Sequence, residues 1–204
     1  MQAVVLANAV DRGRLRLTVT GGVGPLGSDR GTATATVMVA TTDLDAWPAS
    51  TAVVTTPWPR NERSAVAGLK STSYAENVVA LSYAHERGAS EAIFANTVGA
   101  LCEGTGTNIF VGLDGRLVTP PLSSGCLAGI TRDLVCELLG DEVAQVDVPM
   151  ERLGQADEAF LTSSTRDVQA IHSIDGVALP TTPGPLTSAA AAAFADLLTR
   201  DLDP

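Results

Sequence analysis

Lysine is almost missing from this chain: Lys70 stands alone against twelve arginines in 204 residues. A protein that uses arginine for nearly every positive charge has little structural need of one lysine. Of the two, only lysine carries an amine that can lose its proton and attack a carbonyl, because guanidinium stays protonated. Histidine is scarce as well. His85 and His172 are the only two, and neither stands at metal-ligand spacing from Cys102, Cys126 or Cys136. The cysteines form no CxxC pair, which excludes a zinc ribbon or a dithiol redox centre. Their odd number fits a reducing cytoplasm, with packing as the expected role of all three. Net positive charge is absent: a formal charge of −10 and a pI near 4.5 argue against nucleic acid or an anionic membrane as partner. No window approaches 18 consecutive apolar residues, so no membrane span is expected.

What is present suffices for a core. Hydrophobic residues make up 45% of the chain, enough for one domain or one domain and part of another. Alternation predicts strands at 14–19, 35–41 and 52–56, the first running into the glycine-rich turn Gly21–Gly31. Arg12, Arg14 and Arg16 then mark the outward face of a strand. Asp43–Ser50, with Trp47-Pro48, reads as a connector, and a domain boundary is placed near residue 50. Beyond Lys70, residues 72–87 suit a helix ended by Gly88, with Tyr74, Val78 and Leu81 on its core face. Strands follow at 91–96, 107–113 and 116–119, the last two joined by an Asp114-Gly115 turn. Gly129-Ile130-Thr131 opens a helix stopped by Gly140. Short strands at 143–148, 158–162 and 168–174 precede a closing amphipathic helix, Pro185–Asp201, that includes the alanine run Ala189–Ala193. Strands and helices without regular βαβ alternation predict an α+β fold. The glycine clusters at 21–27 and 104–106 link no clear strand to a following helix, which argues against a dinucleotide or P-loop site.

Four blocks carry a more specific signal. They are GLKSTSYAENVVA (68–80), EAIFANTVGALCEGTGTNIFV (91–111), LVTPPLSSGCLAGITRDLV (117–135) and ADEAFLTSSTRDVQAIHSIDG (156–176). In order and spacing they resemble the class IV aminotransferases, which include branched-chain and D-amino-acid aminotransferases and 4-amino-4-deoxychorismate lyases. The resemblance implies a fold-type IV, D-amino-acid aminotransferase-like enzyme that uses pyridoxal 5'-phosphate (PLP) and acts as a homodimer on a small amino-acid-like substrate. Residues 51–204 would be the large PLP-binding domain, and 1–50 a remnant of the small N-terminal α/β domain. Lys70 matches the family's Schiff-base lysine and α-proton base. Val66 to Leu69 are apolar neighbours suited to lowering its pKa. Glu103, expected in a loop before the turn GTGTN, matches the carboxylate that faces the pyridine nitrogen. Gly129, Ile130 and Thr131, at a helix start, would hold the phosphate with N–H groups and a hydroxyl. Ser164, with Ser163 and Thr165 beside it, matches a second hydroxyl of the phosphate cup. Ordinary capping remains the alternative for both segments. Asn77 and Asn108 read as structural, His85 and His172 as surface or capping residues, and Arg30 as a candidate for a substrate carboxylate.

The pattern also departs from the family. Members usually carry some tens of residues before the point where this chain begins, including an arginine that clamps the phosphate, and no counterpart is found here. Apolar surface on residues 1–50 is therefore expected to be exposed. Branched-chain enzymes have a tyrosine five residues after the lysine, where this chain has Ala75. RLTVTGGVGPLGSDRG (16–31) looks more like the lyase pattern. The favoured expectation is an aminodeoxychorismate lyase that forms 4-aminobenzoate and pyruvate for folate synthesis. The alternatives are a branched-chain or D-amino-acid transaminase and a truncated, inactive relative.

Overall fold

The computed structural model describes residues 1–29 and 31–201, and the chain divides into two compact units, Met1–Trp47 and Pro48–Pro204. Arg30 lies outside the described residues.

In the first unit, a short helix α1 (Gln2–Asn8) precedes strands β1 (Gly13–Thr20) and β2 (Thr36–Asp43), which pair antiparallel with Leu17 opposite Val39 and Val19 opposite Val37. Period-two alternation puts Leu15, Leu17, Val19, Val37 and Val39 on one face and Arg14, Arg16 and Thr18 on the other. Leu17 is 54% and Val19 56% exposed, and none of the unit's described residues is buried.

The second unit holds β3 (Ser50–Thr55), α2 (Ala75–His85), β4 (Glu91–Ala95), β5 (Leu101–Gly104), β6 (Asn108–Leu113), β7 (Arg116–Thr119), α3 (Ile130–Leu139), β8 (Val143–Gln145), β9 (Glu158–Ser163), β10 (Asp167–Ile174), β11 (Val177–Ala178) and α4 (Pro185–Arg200). Its strands form a mixed sheet in the order β5-β4-β3-β10-β9-β6-β7-β8, with β11 on β10. Parallel pairs occur at β3–β4, β3–β10 and β7–β8. One core cluster gathers Val53, Ile93, Leu101, Ile109, Val118, Leu161 and Ile171, one residue each from β3, β4, β5, β6, β7, β9 and β10. Seven strands can meet in one cluster only if the sheet curls, and β5 does lie against β6 although they are distant in the strand order. The outer face is covered twice. Ala80 and Ala84 of α2 pack with Val54, Ala92 and Phe94, while Val135 of α3 and Ala190 and Phe194 of α4 pack on Phe110 and Phe160, whose rings stack at 4.7 Å.

Local chemistry explains the boundaries. Asp114 and Gly115 take φ of 52° and 74°, the two positive values a two-residue hairpin needs. Glu158 is buried at the start of α4, where its carboxylate accepts the N–H groups of Leu186 at 3.0 Å and Thr187 at 2.7 Å and so caps the helix. The helix expected over 72–87 begins only at Ala75. Ser71 and Thr72 draw the backbone into turns, with Ser73 N–H on Ser71 Oγ and Tyr74 N–H on Thr72 O. Its core face is also not the expected one. Val78 is 59% exposed and Tyr74 37%, and the small side chains of Ala80 and Ala84 let the helix approach the sheet. No helix among the described residues is long and apolar enough to cross a membrane.

Candidate functional site

Glu103 lies on β5, not in a loop: the chain pairs with β4 as far as Gly104 before turning at Thr105–Thr107. Its side chain is 13% exposed. Leu127 N–H donates to Oε2 at 2.9 Å, and Arg60 Nε stands 3.3 Å from Oε1. Burial pushes the carboxyl above its usual range; the Leu127 N–H, the Arg60 guanidinium and the Lys70 ammonium pull the other way. Lys70 is linked to this carboxyl through α2: its Nζ donates to Tyr74, the helix N-cap, and Glu76 and Asn77 hold the Arg60 guanidinium beside Glu103.

Lys70 itself is exposed and lies in the segment before α2. Its Nζ donates to the Tyr74 hydroxyl at 3.1 Å. The apolar surroundings expected from Val66 and Leu69 are not formed. These residues are 55% and 65% exposed, because the turn 66–71 projects them outward, away from the core.

The phosphate candidates follow from Glu103 through short links. Leu127, which donates to Glu103, also gives its carbonyl to Asn108 Nδ2 at 2.8 Å. Two residues later Gly129 caps α3, and a Cβ built there would lie 2.1 Å from Asn108 Oδ1, so only glycine lets the loop sit this close. The helix starts with Asp133 N–H on Gly129 O. The N–H groups of Ile130 and Thr131 precede that bond and are donors without an intrahelical acceptor. Thr131 is buried, whereas the Ile130 side chain is 72% exposed and offers its backbone only. Thr162 pairs with Asn108 across β9 and β6, which sets the turn after β9 beside the start of β6. In that turn Ser163 Oγ accepts Arg166 N–H at 3.2 Å, the local capping role, and Ser164 is exposed.

Three features carry no sequence signal. Arg60 touches two carboxylates, Glu76 at 2.6 Å and Glu103 at 3.3 Å, although it falls in the connector before Lys70. Glu91 and Arg166 form a buried ion pair at 3.5 Å, beside Thr105 and Ser90. Tyr74 serves Lys70 and not the core. Asn77 does order its surroundings: it accepts from Arg60 at 3.0 Å and donates to the Thr105 carbonyl, joining α2 to the turn behind Glu103. His85 and His172 are exposed, and His172 Nδ1 is 3.1 Å from Ser50 Oγ. Among the described residues, no group of three His, Cys, Asp or Glu side chains could hold a metal ion.

Comparison with known proteins supplies an independent view. Residues 1–174 match the family described as amino-transferase class IV. The branched-chain-amino-acid aminotransferase of Escherichia coli K12 is 34% identical over 135 residues, which cover 64% of this chain and 44% of that protein. The chain matches less than half the length of such curated relatives. The branched-chain aminotransferase of Thermobaculum terrenum, solved in its PLP form, superposes with a TM-score of 0.85 at 29% identity, covering 98% of this chain and 69% of that one. A provisionally named 4-amino-4-deoxychorismate lyase from Legionella pneumophila gives a TM-score of 0.83 at 24% identity, covering 97% and 73%, which is a likeness of fold alone.

Proposed function

The chain belongs to the class IV aminotransferase family, and from that membership we propose that it is a PLP-dependent enzyme acting on a small amino-acid-like substrate. The observation that carries this reading is a chain of contacts from the single lysine to a largely buried carboxylate: Lys70 Nζ donates to Tyr74 at the N-cap of α2, and Glu76 and Asn77 of the same helix hold Arg60, which stands 3.3 Å from Glu103. The residues present fit the cofactor. Lys70 supplies an amine, Glu103 a largely buried acid, and the glycine-opened start of α3 N–H groups that lack an intrahelical acceptor and suit a phosphate. When bound, the cofactor supplies an electron sink for charge that develops at the substrate Cα. Lys70 holds the cofactor and carries the substrate's α-proton on Nζ. Glu103, oriented by Leu127 N–H, would hold the cofactor through its pyridine nitrogen and supply negative charge there. Gly129, Ile130 and Thr131 hold the phosphate, joined by Ser163 and Ser164. A homodimer in the cytoplasm is the assembly and location that this membership supports.

Among the family's reactions, the lyase that forms 4-aminobenzoate and pyruvate is favoured by two sequence features. Ala75 leaves no phenol five residues after Lys70, and the glycine-rich turn of 21–31 follows β1. The names of the curated relatives favour a branched-chain transaminase as the second reading. The experiment is a visible absorbance spectrum of the protein with PLP, before and after ultrafiltration, beside Lys70→Ala. A retained band in the wild type and none in the variant is expected. Equal retention in both would overturn the assignment of Lys70. Feeding 4-amino-4-deoxychorismate, or an amino acid with 2-oxoglutarate, then separates lyase from transaminase by the product released.

A further inference from the structure

We propose that Arg60 is the positioning residue that holds Glu103 as an anion, and that Glu76 sets the strength of this hold by sharing the same guanidinium. The proposal rests on the reading of Glu103 given above and deepens it. Arg60 is pinned at both ends. Its N–H donates to Ala95 O at 2.7 Å, and its guanidinium lies 4.2 Å from the centroid of the Phe94 ring. Phe94 is the cross-strand partner of Glu103, so an arginine seated on that ring is held beside the carboxylate.

The contact with Glu103 is a charge contact. Nε stands 3.3 Å from Oε1 but lacks the alignment of a hydrogen bond, and it has no other hydrogen-bond partner. The aligned donor, Nη1, is spent on Glu76 at 2.6 Å and Asn77 at 3.0 Å. One partly buried cation therefore serves two acids of different exposure: the Glu76 side chain is 49% exposed and that of Glu103 13%. Solvent weakens the first pairing and leaves the second strong. The other groups that act on Glu103 are Lys70, Cys102 on its own strand and Cys126 from the loop before α3. Burial pushes both thiols up, so neither brings charge at neutral pH. The sign is left to Arg60, Lys70 and Glu76.

The test is a carbon-13 NMR titration of glutamate carboxyls in the cofactor-free chain, with Glu103 identified by its loss in Glu103→Gln. Arg60→Met should raise the Glu103 midpoint by about one pH unit or more, and Arg60→Lys should restore most of it. Glu76→Gln should lower the midpoint, and by less than half as much when Arg60 is already Met. A role confined to packing would not produce shifts of opposite sign. No rise with Arg60→Met would overturn the proposal. Should that variant fail to fold, the half-exposed Glu76 decides alone: a midpoint unchanged or raised by Glu76→Gln refutes the sharing. An equal Glu76→Gln shift in both backgrounds would show direct action and remove Glu76 from the proposal. PLP is added afterwards, so failure of the wild type to retain it counts against the cofactor reading and leaves the titration result standing.

Discussion

Between Val66 and Tyr74 the hydrogen bonds are local: Leu69 N–H to Val66 O, Ser71 N–H to Leu69 O, Tyr74 N–H to Thr72 O. Val66, Leu69 and Lys70 face solvent there. Around Glu103 the bonds are long-range. Leu127, Arg60 and, one turn behind, Glu91 and Asn77 come from four different parts of the chain. The contrast suits the roles proposed for the two groups. An amine that exchanges partners and carries a proton needs a segment that moves at little cost, and few buried contacts provide it. A carboxylate that acts by its field needs a dry, fixed setting, where each nearby charge counts for more.

Removing one charge from each region should therefore have very unequal effects on folding. Glu91 is 2% exposed and accepts Thr105 N–H at 2.9 Å as well as facing Arg166. Glu91→Ala leaves that guanidinium buried without this carboxylate and should cost about 3–5 kcal/mol. Lys70→Ala should change stability by no more than about 0.5 kcal/mol. Thermal unfolding of the two variants side by side checks the contrast, and similar midpoints would erase it. Glu103 should give a smaller, pH-dependent effect. Its folded pKa is raised, so the native state binds more protons than the unfolded one above about pH 4.5. Stability conferred by the protonated acid is present below that value and is lost as pH rises toward the folded pKa. Glu103→Gln, neutral at every pH, should gain on the wild type between pH 4.5 and 7 in the cofactor-free chain. A thermal midpoint difference that shrinks over that range would contradict the sign.

The same contrast governs what could be read from the amino-acid sequence. The apolar runs at 91–96, 107–113 and 158–162 announced strands because burial on both faces leaves no other composition. The Asp114-Gly115 turn and the stop at Gly140 were legible because their chemistry is local. β5 was not. Leu101–Gly104 is too short to show a period, so no strand could be read between 91–96 and 107–113. Arg60, Glu91 and Arg166 were invisible for a different reason: each is an ordinary charged residue until the curled sheet brings its partner across the chain. The α2 face failed because size reversed the usual rule, with alanines inside and Val78 outside.

The smallest expected effect lies at Tyr74, the point where the loose region meets the fixed one. Its hydroxyl accepts from Lys70 Nζ, and its ring centroid is 5.5 Å from the same nitrogen. Tyr74 is the N-cap of α2, whose first turn carries Glu76 and Asn77 toward Arg60 and Thr105. The phenol can therefore steady the amine without burying it. Tyr74→Phe keeps the ring and removes one exposed hydrogen bond, typically a contribution of about 0.5–1.5 kcal/mol and toward the lower end in water. PLP retention should weaken by no more than about fivefold on that scale, with the unfolding midpoint lowered by only about 1–2 °C. Tyr74→Ala, which also removes the ring, should weaken it further. A loss with Phe as complete as with Lys70→Ala would make the hydroxyl as necessary as the amine for holding PLP and would refute a merely supporting role.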